Sequence, residues 1–427
     1  MNDVFLERLA KLTSKYPKVI DLSLARVKKL LNKLDNPHLK IPPIIHVAGT
    51  NGKGSTIAFL FNSLKCAGQK VHVYTSPHLI EVTERIILAN KKISYNKLFQ
   101  ALDYCEKVNN GEHITQFELL TCIAFFLMSK TKADVTLLET GLGGRLDATN
   151  IIKNPILTII TSISLDHSDF LGNKLHSIAK EKAGIIKKGI PCISAPQEIE
   201  VKKVLIDKCK EKQAKLIISD QKSFISYEKN GFKINKSNIE EHLFPWPSLE
   251  GPHQVINAAL AITALITVPE LRVNLKDMNQ GIVSTYWPGR LEKISKSIVK
   301  RYSLITEDIW LDGGHNIAGA QAIKNWIIHK KIKKIILVCG FLKNKDAEDI
   351  LFILKDYIKY IIFVPIDNKN SYTVEELSIM SKNLDISYYM SNSVKEAITS
   401  SLISKSSKVL IFGSLYLIGA ILKLTNN

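Results

Sequence analysis

The stretch Gly49-Thr50-Asn51-Gly52-Lys53-Gly54-Ser55-Thr56 decides how the rest of the chain reads. It follows Ile44-Ile45-His46-Val47-Ala48, a run rich in aliphatic residues that reads as a buried strand, and it opens a helix expected over 55–67. Three glycines in this stretch let the backbone wrap closely round an anion. The helix start behind them supplies unpaired N–H groups and the positive end of the helix dipole. Lys53 can reach outer phosphates. Strand, Gly-rich loop with lysine, and helix in that order make a phosphate-binding loop on an α/β sheet. The usual loop places Ser or Thr directly after the lysine, whereas here Gly54 precedes Ser55.

The same rhythm runs outward from the loop. Strands are expected at 69–74, 135–139 and 156–163, with a buried helix over 117–129. This pattern predicts a mainly parallel sheet with helices on both faces. Between 199 and 247 the sequence turns Lys-rich and polar, with short alternating stretches at 224–227 and 231–235, and a small antiparallel excursion is expected. A helix resumes over 255–265. After Arg290 a second rhythm begins, with strands at 309–312, 334–339, 360–365, 386–390 and 409–412 and helices at 317–329 and 347–357. The fold class read from this is α/β: a P-loop-containing, mainly parallel-sheet ATPase domain over 1–295, then a second, smaller Rossmann-like α/β domain over 296–427, with the boundary inside 291–300.

Composition narrows the function classes. With 45% hydrophobic and 23% charged residues the 427-residue chain has the make-up of a globular protein with real cores. The 58 Lys and Arg against 40 Asp and Glu give a formal charge of +18, which raises the question of nucleic acid. Yet only seven of those cations are Arg, the residue suited to bidentate phosphate and base contacts, and the Lys are scattered. A Lys-heavy solvated surface is therefore expected, with no nucleic-acid partner. The six Cys form no CxxC pair, and several sit in apolar stretches, as do Cys122 and Cys339, which fits reduced thiols in a cytoplasmic protein. The N-terminus reads as a mixed polar helix and not as a signal peptide. The longest apolar run, 119–128, is too short to span a bilayer.

Several further motifs stand in order along the chain. The Gly49–Ser55 loop resembles the phosphate loop of the Mur-ligase superfamily. The set that follows resembles its folylpolyglutamate synthase/dihydrofolate synthase branch: Thr75-Ser76-Pro77-His78-Leu79, Glu84-Arg85-Ile86, Thr115-Gln116-Phe117-Glu118, and the stretch from Glu139-Thr140-Gly141 through Arg145-Leu146-Asp147-Ala148 to Asn150. It continues through Asp166-His167, Glu181-Lys182-Ala183-Gly184-Ile185, Gly251-Pro252-His253-Gln254 with Asn257, Trp287-Pro288-Gly289-Arg290, and Leu311-Asp312-Gly313-Gly314-His315-Asn316. The matches run over residues 21–316, with weaker ones at Lys345-Asp346 and Gly413-Ser414. At Gly314 the family usually carries Ala.

Residue chemistry and resemblance assign roles side by side. A strand-end carboxylate such as Glu139 suits Mg²⁺, which prefers hard oxygen ligands; it could equally cap the Gly-rich turn that follows. His167 reads from its type alone either as a ligand or as a loop His. On P-loop logic Ser55 is the natural metal hydroxyl. The resemblance implies Ser76, Glu139 and His167 as metal ligands, with Ser55 a phosphate neighbour. It implies Asn51, Gly52, Lys53, Gly54, Ser55, Asn257, Arg290 and Asp312 for ATP. For the pterin-bearing substrate it implies Leu22, Ser23, Thr115, Gln116, Phe117, Glu118, Leu146, Asp147 and Ala148. By type Lys182 reads as a solvated helix lysine; the resemblance implies a carbamylated lysine that supports a second Mg²⁺, and makes Lys53, Lys182 and His315 the catalytic set. Phe117 is either a stacking face for a pterin or a core aromatic.

What the resemblance implies is an ATP- and Mg²⁺-dependent ligase that joins L-glutamate to dihydropteroate, to reduced folates, or to both, through an acyl phosphate. It is expected to act on small molecules, away from membranes, as a monomer. A folylpolyglutamate synthase alone, or a Mur-type peptidoglycan ligase, are the neighbouring alternatives. A GTPase-like switch is disfavoured because the NKxD base-reading motif is missing.

Overall fold

The computed structural model describes residues 1–14, 23–218, 224–235 and 241–426. Leu22, named above for the substrate, lies outside them. The chain divides into two compact units. One takes Met1–Ser164, Ser168–Ser248 and Val255–Thr285; the other takes Leu165–His167, Leu249–Gln254 and Tyr286–Asn427.

The first unit is built on eight strands: β1 (Ile44–Ala48), β2 (Val71–Tyr74), β3 (Ile86–Leu88), β4 (Lys91–Lys92), β5 (Val135–Glu139), β6 (Leu157–Ile160), β7 (Cys192–Ser194) and β8 (Leu216–Ile218). Their order in the sheet is β4-β3-β2-β5-β1-β6-β7-β8. The β3 and β4 edge is antiparallel and the other pairings are parallel. β1 lies inside the sheet and all five of its residues are buried, which is why it reads as a continuous apolar run. Its one polar residue, His46, meets Thr149 Oγ1 through Nε2 at 2.9 Å, while its buried Nδ1 has no hydrogen-bond partner among the described residues. Burial, reinforced by the Lys187 charge, draws the His46 imidazole down to about 3.

The C-terminal ends of β2, β5, β1 and β6 are neighbours on one edge. From them emerge Thr75-Ser76, Glu139, the Gly49–Ser55 loop and Thr161, where ligands of open α/β sheets gather. One core packs the helices Ala25–Lys33, Tyr95–Asn109 and Gln116–Ser129 against the sheet through Leu30, Leu31, Leu98, Leu120, Ile123 and Phe125.

The polar stretch after 199 corrects the sequence reading. Ile199–Glu211 is a helix burying Val201, Val204, Leu205 and Cys209, and Leu216–Ile218 adds a parallel strand to the main sheet. Lysines on the solvent side masked that amphipathic pattern. The antiparallel excursion is confined to β9 (Ile225–Glu228), β10 (Gly231–Ile234) and β11 (Phe244–Pro245).

The second unit carries β12 (Glu292–Lys293), β13 (Ile309–Asp312), β14 (Ile335–Cys339), β15 (Ile358–Phe363), β16 (Tyr388–Met390) and β17 (Val409–Phe412) in the order β12-β13-β17-β14-β15-β16. Only β12 is antiparallel, so this is the expected doubly wound sheet. Its core joins Trp326, Leu337, Phe341, Leu351, Phe363 and Phe412. Among the described residues no helix is long and apolar enough to cross a membrane. The run 119–128 is a buried part of the helix Gln116–Ser129.

Candidate active site

The helix Lys53–Cys66 starts at Gly52, whose φ of +89° favours glycine and which supplies no side-chain cap. A Cβ at this position would lie 2.5 Å from Asn257 Oδ1, so the loop backbone and the buried Asn257 share a tight space. Gly52 makes no side-chain cap, and the backbone N–H groups of a helix start fit a phosphate. The loop is pinned from behind: Thr50 N and Asn51 N donate to Ser162 O at 2.8 and 3.2 Å, and Thr50 Oγ1 donates to Ser164 O at 3.1 Å. Lys53 Nζ donates to Gly49 O and Thr50 O at 3.2 Å each and stands 3.9 Å from Glu139 Oε1. Gly54 sits in the first helical turn, and Ser55 behind it is buried.

Glu139 ends β5 with 4% of its surface exposed, and its Oε2 accepts from Ser76 N at 3.1 Å. The turn amides of Gly141 and Leu142 donate instead to Asp147 Oδ2 at 2.9 and 2.8 Å, so Asp147 caps the turn. The other oxygen of Asp147 takes Thr149 N at 3.0 Å and Thr149 Oγ1 at 2.5 Å. Burial pushes the Asp147 carboxyl above its ordinary value, opposed by those hydrogen bonds. Glu139 stands beside Ser76 and Lys53, and the hard oxygens of this donor set fit a magnesium ion. His167 is grouped in the other unit, on an exposed turn at φ +53°, with its N–H on Asp166 Oδ1 at 2.9 Å. Among the described residues no three His, Cys, Asp or Glu side chains gather in one ion-binding cluster.

Lys182 departs from the reading by residue type. It is 5% exposed, and its Nζ donates to Gly49 O of the phosphate loop at 2.8 Å. A lysine at the last turn of a short helix reads as solvated; here Leu175–Ala183 turns it inward, and Arg145 N closes on Glu181 O at 2.7 Å. Arg145 pairs with Glu181 at 2.8 Å on the surface.

The predicted substrate segments meet in the first unit. Thr115 caps the helix Gln116–Ser129, and Glu118 returns the bond, its Oε2 accepting Thr115 N at 2.8 Å. Phe117 is partly buried: its ring lies 6.2 Å from that of Tyr74, and a Cβ at Gly141 would come within 2.4 Å of it. That contact brings Thr115–Glu118 against the loop that carries Leu146, Asp147 and Ala148. Gln116 is exposed, Leu146 half-buried and Ala148 buried. Ser23 Oγ accepts from Ala25 N at 3.2 Å at the start of the helix Ala25–Lys33.

In the second unit, Asp312 ends β13 and is buried; its oxygens take Leu291 N at 2.9 Å and Gly314 N at 2.7 Å. Burial raises its carboxyl, against the lowering effect of Arg290 and those amides. Arg290 Nη1 donates to Gly289 O at 3.1 Å. His315 Nδ1 bonds Gly313 O at 2.9 Å. Burial, with the Lys345 charge, draws the His315 imidazole down to about 4, so it is neutral at pH 7. The departure at Gly314 has a local cause: a Cβ there would meet the Phe412 ring at 2.6 Å and Asp312 Oδ1 at 2.9 Å.

Reading the sequence did not find what holds this cluster. Asp166, 8% exposed at its side chain, accepts from Lys345 Nζ at 2.5 Å and Asn316 Nδ2 at 2.9 Å, with His315 Nε2 at 3.7 Å. Burial alone would raise the Asp166 carboxyl; the charges of His315, Lys345 and His167 and the lysine hydrogen bond hold it well below the ordinary range. His315 carries its charge only in acid, below its lowered value of about 4, so at pH 7 Lys345 is the cation that pairs with Asp166. The signals, Asp166-His167 and Lys345-Asp346, are legible one by one, but no local pattern links them.

A phosphate loop on one parallel sheet, with a second doubly wound sheet after it, defines a Mur-ligase type of protein, and a model of the Mur ligase middle domain matches residues 47–265. A model of the dihydrofolate synthetase C-terminal domain matches residues 297–424. The Bacillus subtilis dihydrofolate synthase/folylpolyglutamate synthase is 33% identical over 429 residues, covering 94% of this chain and 94% of its own. The chain belongs to the dihydrofolate synthase/folylpolyglutamate synthase family. The structure of Escherichia coli FolC in complex with DHPP and ADP superposes with a TM-score of 0.87 at 29% identity, over 99% of this chain and 97% of that one. A bifunctional folylpolyglutamate synthase/dihydrofolate synthase with Mn, AMPPNP and L-glutamate bound gives 0.84 at 28% identity, over 100% and 98%.

Proposed function

We propose that this chain is a bifunctional, ATP-dependent ligase that joins L-glutamate to dihydropteroate and to reduced folates. The observation that carries it is the glycine-led Gly52–Ser55 helix start with Lys53 Nζ 3.9 Å from the buried Glu139 carboxylate on the same strand edge. A carboxylate is a poor electrophile in water. Transfer of the γ-phosphoryl of ATP to the substrate carboxylate gives an acyl phosphate; the amine of glutamate attacks its carbonyl carbon, and phosphate leaves.

The protein's contribution is positioning and charge stabilisation. Asn51, Gly52, Gly54 and Ser55 cradle the triphosphate. Lys53, turned back on Gly49 and Thr50, swings to the outer phosphates when nucleotide enters. Asn257, Arg290 and Asp312 bind the nucleotide, and His315, neutral, accepts a proton near the incoming amine. Ser76, Glu139 and His167 hold Mg²⁺, which when bound neutralises charge on the transferred phosphoryl. Lys182 is assigned as the carbamylated lysine, an assignment supported by its burial and by its Nζ contact with Gly49 O of the loop. Ser23, Thr115, Gln116, Phe117, Glu118, Leu146, Asp147 and Ala148 frame the pterin, with Leu22 included from the motif. Residues 1–295 form the ATP- and folate-binding domain and 296–427 the ligase domain. The enzyme works as a cytoplasmic monomer.

The test is radiolabelled glutamate incorporation with ATP and Mg²⁺, offering dihydropteroate and tetrahydrofolate in parallel. Incorporation into both supports the proposal. Incorporation into one alone makes the enzyme monofunctional, and incorporation only with UDP-muramyl acceptors makes it a peptidoglycan ligase.

A further inference from the structure

One strong ion pair of the first unit joins a motif residue, Glu118, to an arginine outside the quoted motifs, Arg26. Arg26 and Glu118 are joined by three hydrogen bonds: Nε to Oε1 at 3.2 Å, Nε to Oε2 at 3.0 Å, and Nη2 to Oε1 at 3.0 Å. Their side chains are 14% and 7% exposed. The Glu118 carboxylate also takes Thr115 N, so its acceptor positions are largely filled from within the protein. A planar guanidinium makes such a fork and an ammonium does not, which gives a reason for Arg at 26 in a chain where 51 of 58 basic residues are Lys.

The fork lies among the segments that frame the proposed pterin site. Arg26 is in the helix that follows Ser23, and Glu118 is in the first turn of the helix that carries Phe117. Phe117 packs on Gly141 of the loop carrying Leu146 to Ala148. Removing the fork leaves the helices packed through Leu30, Leu31 and Leu120 but frees the first turn under Phe117.

We infer that Arg26 is a positioning residue for the pterin-bearing substrate: through Glu118 it fixes Thr115–Phe117. This rests on the function proposed above. Arg26→Lys keeps the charge and loses the fork. The expected result is a KM for dihydropteroate raised about tenfold, the size of losing charge-assisted hydrogen bonds, with the KM for ATP within about twofold and kcat changed less than KM. Glu118→Gln should give a similar rise, and Arg26→Gln with Glu118→Gln no more than either alone. An unchanged dihydropteroate KM in folded Arg26→Lys, checked by circular dichroism, overturns the inference; so does an equal rise in both KM values. Absence of ligation by the wild-type enzyme overturns the function instead, so the two failures are distinct.

Discussion

The two units hold their polar groups by different means. Around the phosphate loop, backbone geometry does the holding: Gly52 at positive φ, the Thr50 and Asn51 amides on Ser162, and Asp147 capping the turn beyond β5. In the second unit a buried charge network does it, with Asp166 gripping Lys345 and Asn316 beside His315. Backbone-built sites tolerate substitution of the functional side chain without loss of fold. A site built on buried charges does not, because removing one partner strands the other.

The largest expected effect follows from that contrast. Lys53→Ala should lower kcat for ATP-dependent glutamate incorporation by about a thousandfold, through lost stabilisation of phosphoryl charge, while leaving the urea midpoint nearly unchanged. Lys345→Met should do the reverse of this split. It leaves Asp166 buried and uncompensated, and urea denaturation should show a loss of about 3–5 kcal/mol. A loss under 1 kcal/mol would show that the charge network is not what holds the second unit's cluster.

The pH dependence sharpens the same comparison. His315 and His253 are drawn to about 4, both first by burial, and His46 to about 3. As pH falls below the ordinary value of about 6.5, the unfolded chain takes up protons on these residues and the folded one does not, so stability should fall with pH from about 6.5 down to their folded values. Asp166 shifts in the same direction, its folded value lying below its ordinary one, and so has the same sign in stability: its contribution is present above about pH 4 and is lost as pH drops through its depressed folded value. His315→Gln should flatten the first decline by the share of one residue, measured as urea midpoints from pH 7 to 4.5. A smaller effect is expected for Gly314→Ala, which presses a methyl on the Phe412 ring and should cost about 1–3 kcal/mol, partly restored by Phe412→Leu. Arg145→Ala breaks only a surface pair and should cost less than about 1 kcal/mol.

The contrast also explains what was legible in the sequence. Sites made by local backbone geometry are written in consecutive residues, so the phosphate loop, the strand-end Glu139 and the second βα rhythm can be read directly. Lys182 could not, because a lysine at a helix end is usually solvated and only the packing of Leu175–Ala183 shows its burial. The helix Ile199–Glu211 was hidden by its lysines. The pairs Arg26–Glu118 and Asp166–Lys345 join residues 92 and 179 positions apart, a separation that no periodicity records. Of the seven Arg, Arg85, Arg145 and Arg290 stand in the quoted motifs and Arg26 does not, yet Arg26 makes the most buried of the carboxylate pairs formed by Arg8, Arg26 and Arg145.

The most direct measurement is stoichiometric. Purified protein with ATP, Mg²⁺, L-glutamate and dihydropteroate should release one ADP and one phosphate for each glutamate incorporated, and Lys53→Ala should lower the rates of all three together by about a thousandfold. ADP release that proceeds equally without glutamate or a pterin acceptor, or incorporation in Lys53→Ala at a rate near that of the unsubstituted protein, would contradict the account.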